Sequence, residues 1–179
     1  VYHESIGNDH RLKLNLTDVK QSGNDWWNAT SPTSSVFSLG SNLVASTTQI
    51  AYCWSEVAGF SKISSYAGSN SSQTIECGFK PAFVMIKCTT SGNDWIIQDN
   101  ARGTEVLYPN LANAEFGGNY VSFTSTGFTL NTSDGRSNSS GDTYIYAAFA
   151  EKPSGEGIDS LVDTPTNAAT PTDTGAGGE

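Results

Sequence analysis

TYIYAAFAE (143–151) runs from a threonine through apolar and aromatic residues to an acid. Its density of large apolar side chains is that of a central strand covered on both faces. TQIAYCWSE (48–56) follows the same plan, 95 residues earlier. A strand written twice raises the expectation of a duplicated unit, so the neighbouring sequence was read for further echoes.

The echoes are there. Asn15-Leu-Thr-Asp-Val-Lys aligns with Asn110-Leu-Ala-Asn-Ala-Glu, and Leu12 with Leu107, at the same offset of 95. Ser35-Val-Phe-Ser-Leu-Gly aligns with Thr126-Gly-Phe-Thr-Leu-Asn at 91, and four extra residues in the polar loop around Thr132–Asp142 restore 95 at the closing pair. The second copy is the fuller one. Phe83-Val-Met-Ile and Trp95-Ile-Ile, separated by Thr90-Ser-Gly-Asn-Asp, read as two strands of a hairpin. Tyr120-Val-Ser-Phe and Gly127-Phe-Thr-Leu alternate as half-buried strands should. The first copy begins at the counterpart of Ile96 and has no PAFVMIK strand, so a sandwich built on it would leave an edge unpaired and a core face uncovered. The expected supplier is preceding chain, another subunit or a neighbour in an assembly. Val1 in place of Met carries the same expectation of a longer chain.

These units predict an all-β protein of β-sandwich, jelly-roll-like repeats, the first incomplete, followed by an extended tail. The expected organisation is a partial first unit (1–56), a connector (57–76), a second unit (77–151) and an extended or disordered linker toward a further domain (152–179). That last stretch holds three of the six prolines, no aromatic residue and one lysine against five acids. A single short helix is predicted at Leu111–Phe116 or its counterpart Leu16–Lys20. Composition agrees: Ser, Thr, Asn and Gly make up 75 of 179 residues, a balance that favours short strands and polar turns over helices.

Nine basic residues stand against 18 acidic ones, and no Lys/Arg cluster offers itself to phosphates, so nucleic acid is not an expected partner. No apolar run has the length of a membrane helix, and no signal peptide opens the chain. Cys53, Cys77 and Cys88 lack zinc-site spacing. Cys53 is predicted to be a core residue, and Cys77 and Cys88 are expected as free thiols, with a bridge between them as the alternative. No cofactor or metal is implied. The loop Asn131–Asn138 has oxygen donors but no closing acid, and five N-x-[ST] sequons (Asn15, Asn28, Asn70, Asn131, Asn138) follow from composition.

Reaction chemistry finds little to stand on. No GxSxG occurs, and the two histidines, His3 and His10, have Gln98 and Glu105 as counterparts in the fuller copy, so both are expected as surface residues. Glu56, Glu151, Asp94, Asp99 and Glu115 are the carboxylates a glycosidase would need to pair. Because Glu56 and Glu151 are repeat equivalents, a shared place at a strand end explains them more economically. Trp26 and Trp27, after the turn Ser22-Gly-Asn-Asp, are the candidate ligand-stacking residues. Core packing is the competing role, since SGNDW recurs at Ser91–Trp95 and alternation lets at most one of the pair face the core.

FKPAFVMIK (79–87), LYPNLANAE (107–115), VSFTSTGFTL (121–130) and TYIYAAFAE (143–151), preceded by AYCWSEVAGFSKISSYAGS, together resemble a domain that recurs in large virion proteins of marine phages and cyanophages, tail-fibre-like ones in particular. The likeness covers about residues 50–151, with Cys88 where that family often has Arg. It implies a non-enzymatic structural module on the phage particle, without any catalytic or binding residue to carry over. Its implied partners are other virion subunits, in a homo-oligomer with a trimer the form to test, and a host-surface glycan. A carbohydrate-binding module or adhesin domain is the alternative, and a polysaccharide depolymerase the third reading.

Overall fold

The computed structural model describes residues 1–42 and 48–151; the linker expected at 152–179 lies outside the described residues. The strands are β1 (His10–Arg11), β2 (Gln21–Ser22), β3 (Ser61–Ala67), β4 (Gln73–Glu76), β5 (Pro81–Cys88) and β6 (Ile96–Asp99). They continue with β7 (Glu105–Leu107), β8 (Phe116–Gly117), β9 (Val121–Phe123), β10 (Gly127–Leu130) and β11 (Thr143–Ala150). All pair antiparallel, in a six-stranded sheet ordered β3-β11-β5-β6-β7-β8, a three-stranded sheet β4-β10-β9 and the ribbon β1-β2. The all-β expectation holds, and two sheets face one another across an apolar core in the manner of a β-sandwich.

The centre of the large sheet is TYIYAAFA (143–150), which forms β11. β11 pairs along its length with β3 on one side and β5 on the other, so it has no free edge. Successive side chains of a strand point to opposite faces, and here both faces are used. Tyr144, Tyr146 and Ala148 of β11, with Val84, Ile86 and Cys88 of β5, pack on Phe128 and Leu130 of β10 and Val121 of β9. On the other face Ile145, Met85 and Trp95 pack on Ile6 and Leu12 of the N-terminal segment. Pro81, which has no N–H to give a ladder, stands at the first position of β5 where the register with β11 shifts. Gly127 opens β10 because a Cβ there would lie 2.0 Å from the Ile75 carbonyl oxygen.

The ribbon reproduces a register found elsewhere in the chain. In β1-β2, His10 faces Ser22 and Arg11 faces Gln21; in β7-β8, Glu105 faces Gly117 and Val106 faces Phe116. Each of the four residues of the second ladder is the offset-95 counterpart of one in the first. The later echoes within residues 1–56 behave differently. Residues 48–56, predicted as a closing strand, form no strand, and Cys53, predicted for the core, is exposed. Residues 35–40 form none either, although their counterparts 126–131 contain β10. The physical difference lies in partners: β11 is flanked by β3 and β5 and β10 by β4, and nothing in 1–56 aligns with those three strands.

The segment 57–76, expected as a partly ordered connector, contains β3 (Ser61–Ala67) and β4 (Gln73–Glu76), with Tyr66 and Ile75 packed against the core. Two further expectations are corrected. Neither Leu111–Phe116 nor Leu16–Lys20 is helical. Asn110 instead accepts the Trp95 N–H (3.0 Å) and donates to Asp94 (2.7 Å), which commits its side chain to a loop staple and not to a helix cap. The helical turn that does form, a 3-10 turn at Glu4–Ile6, has His3 as its cap, Nδ1 accepting from Ser5 N–H at 3.1 Å. His3 is accordingly a buried residue (7% exposed) and not a surface one.

Candidate functional site

The candidate tryptophans lie in the turn that follows β2, outside both apolar clusters and each half-buried. Trp27 meets Tyr2 edge to face at 5.7 Å, and its indole N–H donates to the His10 carbonyl at 2.8 Å. The Arg11 guanidinium carbon stands 3.1 Å above the Trp26 ring centre, a cation–π arrangement that covers one face of that indole. The second SGNDW unit is used differently: Trp95 is buried and its indole N–H donates to the Lys13 carbonyl at 2.9 Å, tying the ribbon segment to the large sheet. Trp26 and Trp27 thus pack on local structure with part of each ring open, while Trp95 carries the core role.

Four of the five candidate carboxylates are placed next to cations. Glu56 accepts from Lys62 Nζ (2.9 Å) and from the Ile63 N–H (3.0 Å). Partial desolvation raises its pKa, and these bonds together outweigh that, leaving it below the ordinary glutamate value. Asp94 holds Arg136 (3.3 Å) and Asn110. Asp99 caps the turn Ala101–Arg102 and pairs with the Arg102 guanidinium, which also reaches Glu115 at 3.1 Å. Asp99 and Glu115 are therefore brought together, but with an arginine between them. Glu151 is exposed at the end of β11. His10 Nδ1 lies 2.7 Å from Asp9. Among the described residues no group of three or more His, Cys, Asp or Glu is arranged to hold a metal, and no helix is long and apolar enough to cross a membrane.

The loop after β10 is a fixed part of the sandwich. Asn138 is fully buried; it donates to the carbonyls of Ser71 (2.8 Å) and Thr132 (3.0 Å) and accepts from the Ser69 N–H (2.9 Å) and Gln73 Nε2 (2.8 Å). Cys77 and Cys88 are free thiols in the same apolar core, and desolvation pushes the Cys77 thiol up to about 11.

Residues 48–56, expected as a closing strand in a unit that lacks a PAFVMIK partner, form no strand and are open to solvent. Ile50, Tyr52 and Trp54 are 79%, 75% and 66% exposed, at alternate positions, and the Tyr52 and Trp54 rings stack 6.2 Å apart. Val36, Phe37 and Leu39 are also exposed. The signal was in the sequence: an apolar strand whose counterpart strand partners have no equivalents in its own unit.

Neither a curated protein nor a solved structure matches the chain. One family model does, over residues 1–153, a span that takes in both copies of the echoed sequence. The chain belongs to the family described as a domain of unknown function, DUF7483.

Proposed function

We propose that the chain is a non-catalytic structural module of a phage virion protein, a fibre or similar appendage, built on a duplicated β unit. The observation that carries this reading is where the phage-like wording falls. FKPAFVMIK and TYIYAAFAE, the most family-like phrases, form β5 and β11 at the middle of the large sheet. The resemblance therefore rests on the framework of the domain and not on a loop. The duplication is supported by the matching registers of β1-β2 and β7-β8 at offset 95. The commitment of Glu56, Asp94, Asp99 and Glu115 to ion pairs favours a structural role for each. The test is immunogold labelling of phage particles with antibody raised against this chain. Labelling of fibres or other projections is expected; an antigen confined to the lysate's soluble fraction overturns the reading.

A second reading, carbohydrate binding, draws on the half-open indoles of Trp26 and Trp27. It predicts glycan-array signals that Trp26→Ala weakens about tenfold, the scale of one lost aromatic contact. An array on which the intact protein gives no signal removes it.

A further inference from the structure

Three arginines occur in the chain, and two of them are paired with acids. Arg102 bonds Asp99 and Glu115, and Arg136 bonds Asp94 and Asp134. Arg11 has no such partner among the described residues, and its Nε is buried without a hydrogen bond. Its guanidinium carbon lies 3.1 Å over the Trp26 ring, a cation–π contact that leaves the hydrogen-bonding edge of the group unsatisfied. The Trp26 indole N–H is unused as well. Trp27 and Trp95 donate theirs to the His10 and Lys13 carbonyls, whereas Trp26 donates to no described residue. Gly23 keeps that nitrogen uncovered, since a Cβ there would stand 3.3 Å from it. Two donor groups thus meet at one ring, and no acceptor of the protein serves either.

Packing alone does not call for these residues. In the ladder of matching register at offset 95, Arg11 and its partner Gln21 are replaced by Val106 and Phe116, which pack with the main core. The turn is also fixed in place. The Trp26 carbonyl accepts the Gly40 N–H (2.7 Å), the Asp25 carbonyl accepts the Asn42 N–H (3.0 Å), and the Gly23 N–H donates to the Asp9 carbonyl (2.8 Å). A site held this way loses little to ordering when it binds. We propose that Arg11 and Trp26 bind the anionic group of an acidic glycan, a pyranose that carries a carboxylate or a sulfate. The planar fork of the guanidinium matches a pair of acceptor oxygens, and the indole N–H adds a donor at the edge of the ring. Trp27, half-buried and next in the chain, offers an apolar face to the sugar. A neutral sugar brings no charged acceptor and leaves the guanidinium as poorly satisfied as before. Such a ligand falls within the carbohydrate reading above, on which this assignment rests.

The test is a glycan array probed with the whole chain and carrying sialyllactose, lactose sulfate and lactose, together with trigalacturonate and its methyl ester. Signal is expected on the acidic glycans and should be at least about tenfold weaker on their neutral counterparts. Sialyllactose against lactose sulfate distinguishes carboxylate from sulfate as the group held. Arg11→Gln should bring the acidic signals down to the level of lactose, and raising the salt to about 0.5 M should weaken the parent's binding severalfold. Arg11→Lys keeps a charge over the indole without the planar fork and should retain only part of the signal. It takes the place of the glutamine variant if that one melts earlier than the parent. Equal signals on neutral and acidic glycans overturn the proposal and leave the carbohydrate reading standing. So does either Arg11 variant if it binds the acids like the parent. An array silent throughout overturns both.

Discussion

Two buried side chains show how the N-terminal segment is bonded to the large sheet. Lys87 is fully buried, and its ammonium group donates to the carbonyls of Thr17 (3.0 Å) and Asn93 (2.5 Å). Burial lowers its pKa. Lys87→Met keeps the stem but leaves two carbonyls without their donor, and is expected to cost about 1–3 kcal/mol in urea unfolding. His3 has its pKa lowered from 6.5, first by desolvation, against smaller raising effects at the Tyr146 backbone and Glu4. The sign follows from linkage. The unfolded histidine takes a proton before the folded one does, so stability falls as pH drops through the unfolded value. Melting temperature should fall between about pH 7 and about pH 5, and His3→Gln, the residue of the second copy, should flatten that fall.

At the scale of elements, strands were legible where alternation and apolar density agreed. Gly127–Leu130 was read with the bounds it has, and the β11 reading differs by one residue. β3 and β4 were missed because SKISSYA and QTIE are polar on one face and sit in a Ser-rich stretch. Only pairing with β11 and β10 makes them strands. Residues 48–56 failed in the opposite sense, since an apolar pattern specifies a strand only where partners exist to pair with it. Of the candidate site, the tryptophans are expected just after the turn Ser22-Gly-Asn-Asp and lie within the turn that follows β2, and the covering of Trp26 by Arg11 was not legible, because Arg11 is fifteen residues away in sequence. Asn138 gives a sharper test at this scale. Asn138→Ala removes the hydrogen bonds by which a fully buried side chain ties two loops together and is expected to cost about 2–4 kcal/mol. Hydrogen exchange should then speed up across 131–142 before it does in β5 or β11.

For the whole molecule, the description comes down to one sheet with different neighbours on its two faces. One face carries the three-stranded sheet and the main core; the other carries the N-terminal segment through Ile6, Leu12, Trp95 and Ile145. Trp95→Ala should cost about 3–5 kcal/mol, and exchange protection of residues 1–22 should be lost at lower denaturant than that of β11. Residues 1–22 are bound to the sheet, with β1-β2 matching the register of β7-β8, while 48–56 forms no strand. Amide hydrogen exchange on the intact chain, read residue by residue, tests both halves at once. The Leu12 and Lys20 amides, which donate to Val1 and Thr89 at 3.0 Å, should be protected alongside β11. Those of Ala51, Cys53 and Trp54 should exchange within about tenfold of unstructured peptide rates. Protection at 51–54 equal to that of β11 would contradict the account.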